Sequence, residues 1–129
     1  MSTPPEGAAS PRGHADPVRE RLAAERRGTC EQIAALERDF EGIVQANALV
    51  AVDDEHDPEG SSTAFERAHV AALLARAREH LTDLDSARER RERGTYGWCD
   101  ACGAPIPPER LEVRPAARTC VGCAAARPR

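Results

Sequence analysis

The sequence is poor in aromatic residues, with one tryptophan, one tyrosine and two phenylalanines among 129 positions. This composition leaves little material for a large globular core. Lysine is absent, and all eighteen basic residues are arginine. The formal net charge of −4 argues against a general nucleic-acid-binding protein, because such proteins usually carry a strongly basic surface.

Long apolar runs are also missing. No segment is long and apolar enough to span a bilayer, so no membrane contact is expected. The first sixteen residues are polar and rich in proline and glycine, without the apolar stretch of a signal peptide. We therefore expect a cytoplasmic protein with reduced thiols. No nucleophile and base pair and no glycine-rich phosphate loop is evident, so we do not expect an enzyme.

Two Cys-x-x-Cys pairs near the C-terminus are the strongest motif. Cys99 and Cys102 form the first pair and Cys120 and Cys123 the second, with seventeen residues between them. This spacing is typical of a site in which four thiolates surround one zinc ion and leave no position open for water. We predict one structural Zn²⁺. Two disulfides or a thioredoxin-like redox pair fit less well, because the chain lacks a secretory signal and a βαβ pattern.

Apolar residues recur every three or four positions in two segments, as in coiled coils. Asp16 and Pro17 are suited to start the first helix. Ser62 or Thr63 is suited to start the second helix, and Gly94 is suited to end that second helix. The predicted contact positions are Leu22, Thr29, Ile33, Leu36, Phe40, Ile43, Asn47 and Val50, then Val70, Leu74, Ala77, Leu81, Leu84 and Arg88. The lone Cys30 lies on the first helix, where we expect a buried, inert thiol.

These elements predict a mostly α fold: a long antiparallel helical hairpin (coiled coil) with an acidic tip, followed by a small four-cysteine zinc finger module. The predicted domains are a disordered N-terminal tail at 1–16, a coiled coil at 17–93 with a tip loop at 52–62, the finger at 94–126, and a C-terminal tail at 127–129. Alternatively, the helices could form a bundle with another subunit, because one helix pair has only a thin core.

The predicted tip loop contains five acidic residues and no basic one: Asp53, Asp54, Glu55, Asp57 and Glu59. Such a run is commonly a solvated turn. At the tip of a hairpin, however, these carboxylates would be presented together. There they could pair with arginine or lysine of a partner, or approach a bound Mg²⁺.

The C-terminal part resembles the zinc finger of the DksA/TraR family. The resemblance lies in Gly94–Ile106, in Glu109–Leu111 and Arg114–Pro115, and in the second knuckle, Cys120–Cys123. An acidic-tipped coiled coil directly before such a finger is also the arrangement of that family. The resemblance covers about residues 15–126.

The resemblance implies a bacterial regulator that binds RNA polymerase and not promoter DNA. In this family the coiled coil enters the secondary channel of the polymerase, which places the tip near the catalytic centre and changes initiation. The family's tip motif has two aspartates three positions apart, which Asp54 and Asp57 match. The motif continues with an alanine, where this chain has Glu59 preceded by Pro58. The tip is therefore more acidic than is usual.

In some members, basic residues on the second helix bind the alarmone ppGpp at the polymerase interface. Residues 77–87 contain only one base, Arg78, so ppGpp as a co-ligand does not follow from the resemblance for this chain.

Two other functions fit parts of the sequence. A transcript-cleavage factor would use Asp54 and Asp57 to hold a second Mg²⁺ in the same channel. A nucleic-acid-binding zinc module would use the arginines of the finger and the C-terminal tail, Arg110, Arg114, Arg118, Arg127 and Arg129. Prolines interrupt the segment between the two knuckles, which argues against a recognition helix there.

Overall fold

A computed structural model describes residues 16–53 and 58–126. Four helices lie in these ranges: α1 (Pro17–Asp53), α2 (Pro58–Arg93), α3 (Pro108–Val113) and α4 (Val121–Ala126). Over the same ranges no strand forms, and an isolated bridge pairs Trp98 with Pro105. The predicted mostly α fold is confirmed. Both predicted tails lie outside the described residues, apart from Asp16. No helix in the described part combines the length and apolarity needed to cross a membrane.

The start of α1 is stabilised by Asp16. Its side-chain Oδ1 accepts a hydrogen bond from the backbone N–H of Arg19 at 3.3 Å, and its carbonyl accepts one from Glu20 at 3.0 Å. Pro17 is the first helical residue, where a proline loses no hydrogen bond because that N–H has no partner within a helix. The predicted cap and first residue of this helix therefore agree with the structure.

The second long helix starts earlier than the sequence analysis predicts. It begins at Pro58 and not at Ser62 or Thr63. Proline favours the first position of a helix because its fixed φ is already helical. The predicted loop at 52–62 was therefore too long, since both helices extend into it.

The end of α2 is fixed by a glycine. Gly94 has a φ of +83°. The N–H of Gly94 donates to the carbonyl of Arg91 at 3.2 Å, and the N–H of Thr95 donates to the carbonyl of Arg90 at 2.8 Å. This is the Schellman arrangement, in which a residue of positive φ satisfies the last carbonyls of a helix. The predicted stop at Gly94 is thus observed.

The chain divides into two compact units. The first, here called the base unit, contains the described residues up to Glu25 and from Asp83 onward. The second, the hairpin unit, contains residues 26–82. The start of α1 and the end of α2 consequently belong to the same compact unit as the finger, residues 94–126.

The core of the base unit is small. Leu22 of α1 and Leu84 of α2 have no exposed surface and form a cluster with Ala87. Tyr96 and Ala116 from the finger pack against this cluster. The ends of the two long helices and the finger therefore share one apolar core.

In the hairpin unit α1 and α2 run antiparallel. Arg78 on α2 contacts Glu37 on α1 at 2.7 Å. Predicted contact positions on both helices are buried or half-buried. The buried ones are Val70, Leu74 and Ala77 on α2 and Thr29 on α1, while Ile33, Leu36, Phe40 and Ile43 are half-buried. The side chains of Asn47 and Val50 lie outside the described residues.

One predicted contact position in the base unit is wrong. Arg88 is exposed, and Ala87 is fully buried in its place. The spacing of three and four shifts here because α2 packs on the finger as well as on α1. A small side chain at position 87 permits that close packing.

Candidate zinc site and coiled-coil tip

The four cysteines come together in the finger. Their sulfur atoms all lie within 4.8 Å of one another, and the sulfurs of Cys102 and Cys120 are 3.9 Å apart. Four sulfurs placed about 2.3 Å from a central zinc in tetrahedral geometry are about 3.8 Å apart. A disulfide would require an S–S distance of about 2.0 Å. The geometry therefore fits one Zn²⁺ and not two disulfides.

The first cysteine pair lies in a tight turn. The N–H of Cys99 donates to the carbonyl of Ala104 at 2.8 Å, and the N–H of Gly103 donates to the carbonyl of Cys99 at 2.9 Å. Gly103 has a φ of +79°, a backbone conformation that other residues adopt only with strain. Cys102 thereby folds back toward Cys99, which is buried.

The second pair spans the start of α4. Cys120 directly precedes this helix and its carbonyl accepts a hydrogen bond from Ala124 at 2.9 Å, while Cys123 lies within the helix. Residues three apart on a helix face the same side. The short helix therefore brings both sulfurs to the side of the first pair.

A polar contact joins the two cysteine turns. The N–H of Asp100 donates to the carbonyl of Arg118 at 2.8 Å, and the guanidinium Nε of Arg118 donates to the carboxylate of Asp100 at 3.1 Å. Asp100 follows the first ligand directly, and Arg118 lies two residues before the third. This pair of bonds fixes the spacing between the turns, and the sequence analysis did not identify it.

The thiols in the cluster differ in acidity. Hydrogen bonds from the backbone N–H groups of Cys102 and Cys120 lower the pKa of Cys99 to about 6. The neighbouring sulfurs, of which Cys120 has the largest effect, raise the pKa of Cys123 to about 12. Four thiolates this close repel one another, and a divalent cation between them removes that obstacle. The donor set thus suits zinc chemically as well as geometrically.

The finger is attached to the helix ends by Tyr96. Its ring packs on the Leu22 cluster, and its hydroxyl donates a hydrogen bond to the carbonyl of Pro115 at 2.7 Å. From within α3, the guanidinium Nε of Arg110 donates to the carbonyl of Thr119 at 2.8 Å. These two bonds hold the C-terminal part of the segment between the cysteine pairs.

A buried arginine lies at the end of α2. Arg90 is only 7% exposed, its Nε is 3.5 Å from the hydroxyl of Ser86, and its two terminal nitrogens have no hydrogen-bond partner among the described residues. Burial lowers the pKa of Arg90, and the carboxylate of Asp100 opposes this shift. Local sequence patterns give no signal for this burial, because Asp100, the carboxylate that acts on Arg90, belongs to a separate segment of the chain.

The structure describes only two of the five acidic residues of the predicted tip. Asp54, Glu55 and Asp57 lie outside the described residues. Asp53 is the last residue of α1, and Glu59 is the second residue of α2. The roles of all five stay predictions.

Comparison with known proteins links the finger to a family. Residues 94–129 match the family described as "Prokaryotic dksA/traR C4-type zinc finger". The predicted four-cysteine site for one zinc ion is therefore confirmed.

Two relatives are similar over part of the chain. The chain is 41% identical to the uncharacterised protein YteA of Bacillus subtilis (strain 168) over 66 residues, which are 51% of this chain and 28% of YteA. It is 39% identical to the RNA polymerase-binding transcription factor DksA of Caulobacter vibrioides (strain NA1000 / CB15N) over 57 residues, which are 44% of this chain and 40% of that protein. The similarity thus spans less than half of each relative's length.

A solved structure is similar over nearly the whole chain. Transcription factor DksA2 from Pseudomonas aeruginosa matches with a TM-score of 0.68 and 26% identity, covering 94% of this chain and 88% of DksA2. The match includes the long helices as well as the finger. Residues 94–129 therefore match the DksA/TraR family of C4-type zinc fingers, and the chain as a whole is similar in structure to DksA2.

Proposed function

We propose that this chain binds RNA polymerase and modulates transcription initiation by inserting the tip of the α1–α2 hairpin into the secondary channel. The observation that carries the proposal is the similarity to transcription factor DksA2 over 94% of the chain. The Caulobacter relative is named an RNA polymerase-binding transcription factor, which supports polymerase as the partner. In this chain two long helices precede the four-cysteine finger, and the TM-score of 0.68 to DksA2 supports a shared fold.

In this proposal the zinc ion is structural. Cys99, Cys102, Cys120 and Cys123 hold it, and four sulfur ligands leave no coordination position for a substrate or water. The chain itself then catalyses no reaction. The regulatory effect comes from the acidic tip, with Asp54 and Asp57 as the principal residues and with Asp53, Glu55 and Glu59 adding negative charge.

The described part of α2 gives little support for ppGpp as a co-ligand. The single base within residues 77–87, Arg78, already pairs with Glu37 at 2.7 Å. That pairing leaves little positive charge on this part of α2 for a polyphosphate. Single-round transcription with and without added ppGpp tests whether it acts together with this chain.

The structure offers less support for a nucleic-acid-binding finger. The helix between the cysteine pairs, α3, has six residues, which is short for a recognition helix in a DNA groove. Arg110 is bonded to the carbonyl of Thr119, and Arg118 to Asp100. Two of the five arginines that such a module would use are therefore already engaged within the finger.

A binding experiment tests the proposal. Purified chain is mixed with core RNA polymerase and separated by size-exclusion chromatography, and a parallel gel shift uses duplex DNA at submicromolar protein. We expect co-elution with the polymerase and no DNA shift. Absence of co-elution refutes the proposal, and a salt-dependent DNA shift without polymerase binding favours the nucleic-acid alternative.

A further inference from the structure

Among the residues whose exposure the structure describes, Arg90 is the one buried charged side chain. A guanidinium keeps its charge inside a protein, and its removal from water is costly unless acceptors or an anion receive it. The Nε of Arg90 is 3.5 Å from the hydroxyl of Ser86, which is a long hydrogen bond, and within the described part of the chain Nη1 and Nη2 have no partner. The base unit therefore contains a positive charge whose main donors are unsatisfied.

The backbone of Arg90 is the place where the finger joins α2. Its carbonyl accepts hydrogen bonds from the N–H of Thr95 at 2.8 Å and from the N–H of Tyr96 at 3.2 Å. The hydroxyl of Thr95 lies 3.4 Å from the same carbonyl. Three donors from the first residues of the finger thus converge on this one residue. A contact made by the side chain of Arg90 therefore acts at the junction itself.

Asp100 is the anion best placed to receive this charge. Burial lowers the pKa of Arg90, and the carboxylate of Asp100 is the strongest of the groups that raise it. Oδ2 of Asp100 accepts a hydrogen bond from Nε of Arg118 at 3.1 Å, whereas Oδ1 has no partner among the described residues. A carboxylate oxygen can accept more than one hydrogen bond. A free acceptor and two free donors of opposite charge therefore lie in the same compact unit.

Asp100 is tied to the zinc site by the chain. It directly follows Cys99, the first zinc ligand, and its N–H donates to the carbonyl of Arg118 at 2.8 Å. Four thiolates around one Zn²⁺ carry a net negative charge, which a buried cation in the same small unit helps to offset. Partners outside the ligand shell also orient the ligands of a metal site. A bond from Arg90 to Asp100 would therefore act on the turn that holds Cys99.

We propose that Arg90 is a positioning residue of the zinc site, which donates from its terminal nitrogens to Asp100 in the zinc-loaded protein and ties the first cysteine turn to the end of α2. A guanidinium suits this role because its planar fork presents parallel donors to a carboxylate. The inference concerns zinc binding and is independent of the polymerase partner in the proposed function. The metal then orders the end of α2 as well as the finger.

A purely apolar role for Arg90 is the competing explanation. Its long carbon stem could fill the space between α2 and the finger, as arginine stems commonly do. A buried charge without strong bonds is also less favourable than an apolar side chain of similar size. In that case methionine at position 90 would keep the zinc affinity or raise it, and Asp100 would act separately.

Zinc affinity measured on a double-mutant cycle separates these two roles. The variants are Arg90→Met, which keeps an unbranched side chain and removes its charge, Asp100→Asn, and the two together. Arg93→Met is the matched control, because Arg93 lies three residues further along α2 with 65% of its side chain exposed. The full chain competes for zinc with a chromophoric chelator. Circular dichroism at 222 nm with saturating zinc checks that each variant is folded.

We expect Arg90→Met and Asp100→Asn each to bind zinc roughly tenfold more weakly, in line with the loss of an outer partner of a metal ligand. The double variant should also bind zinc roughly tenfold more weakly, because both substitutions remove the same bond. Arg90→Lys should recover part of the affinity, since it restores the charge without the planar fork. Arg93→Met should bind zinc like wild type.

Unchanged or tighter zinc binding by Arg90→Met overturns the proposal. A roughly hundredfold loss in the double variant also overturns it, because the two residues would then act independently. Equal zinc affinities of Arg90→Lys and Arg90→Met would assign Arg90 to packing alone, with the same consequence. If Arg90→Met does not fold with saturating zinc, Arg90→Lys replaces it in the cycle, and additivity with Asp100→Asn decides. Polymerase enters none of these measurements, so failure of this inference and failure of the proposed function are distinguishable.

Discussion

Zinc removal should unfold the finger and the helix ends that pack on it. The perturbation is either a chelator or the substitution Cys102→Ser, which removes one of the four sulfur ligands. Cys30→Ser is the matched control, because Cys30 is a half-buried thiol on α1, in the hairpin unit. The expectation that Cys30 is buried was wrong, because its side chain is half-buried, and Cys30 is not part of the cysteine cluster.

The expected magnitude follows from the small apolar content of the finger. Ile106 is the one large aliphatic side chain that is fully buried among its described residues. Its burial contributes about 1.5–3 kcal/mol. Structural zinc contributes about 10–16 kcal/mol in zinc-finger peptides. The metal therefore dominates the folding free energy of the finger.

Circular dichroism at 222 nm measures how far the unfolding spreads. The finger's own helices have six residues each, against 37 and 36 in α1 and α2, so they hold about one seventh of the helical residues. The finger's helices and the helix ends in the base unit together hold about three eighths of the helical residues. We expect the helical signal at 222 nm to fall by about three eighths, because Leu22 and Leu84 share their core with Tyr96.

An unchanged spectrum and an unchanged thermal transition after chelation would refute the structural role of zinc. A loss of only one seventh would show that the helix ends are stable without the finger, contrary to the shared core. Cys30→Ser should retain both the zinc content and the wild-type spectrum.

Three further predictions concern stability. Leu84→Ala should lower the free energy of unfolding by about 2–5 kcal/mol in urea titrations, because Leu84 has no exposed surface. Gly94→Ala should lower the free energy of unfolding by about 1–2 kcal/mol, because residue 94 has a positive φ. Gly28→Ala within α1 should not destabilise the protein in the same titrations. The hydrogen bond from Arg91 holds the pKa of Asp16 below its usual value, so this pair stabilises the fold at neutral pH and the stabilisation is lost as the pH falls through the lowered pKa. Thermal melts across the acidic range should show that loss in wild type and not in Asp16→Asn.

Much of the fold could be predicted because its determinants are local. Cysteine spacing indicates the zinc site, and Asp16 with Pro17 and Gly94 mark helix ends through capping preferences. Periodic apolar positions such as Leu74 identify the contact face of the helices. Each of these signals depends on residues close together in the chain.

The remaining features depend on contacts between distant segments. Ala87 replaces Arg88 at the interface because the finger packs on the end of α2, which the helical period alone does not show. The bonds between Asp100 and Arg118 and the burial of Arg90 likewise require the folded arrangement. The predicted loop at 52–62 includes Pro58, although a proline is equally suited to begin a helix.

A single-round transcription assay on a ribosomal RNA promoter tests the central claim most directly. The double variant Asp54→Asn with Asp57→Asn removes two charges at the tip, and Glu66→Gln with Glu79→Gln removes two exposed charges elsewhere on the hairpin as the control. We expect wild type and the control to change transcript yield and open-complex lifetime. The tip variant should bind polymerase with wild-type affinity and have no effect on transcription. Full activity of the tip variant, or loss of its binding, would contradict the role proposed for the acidic tip.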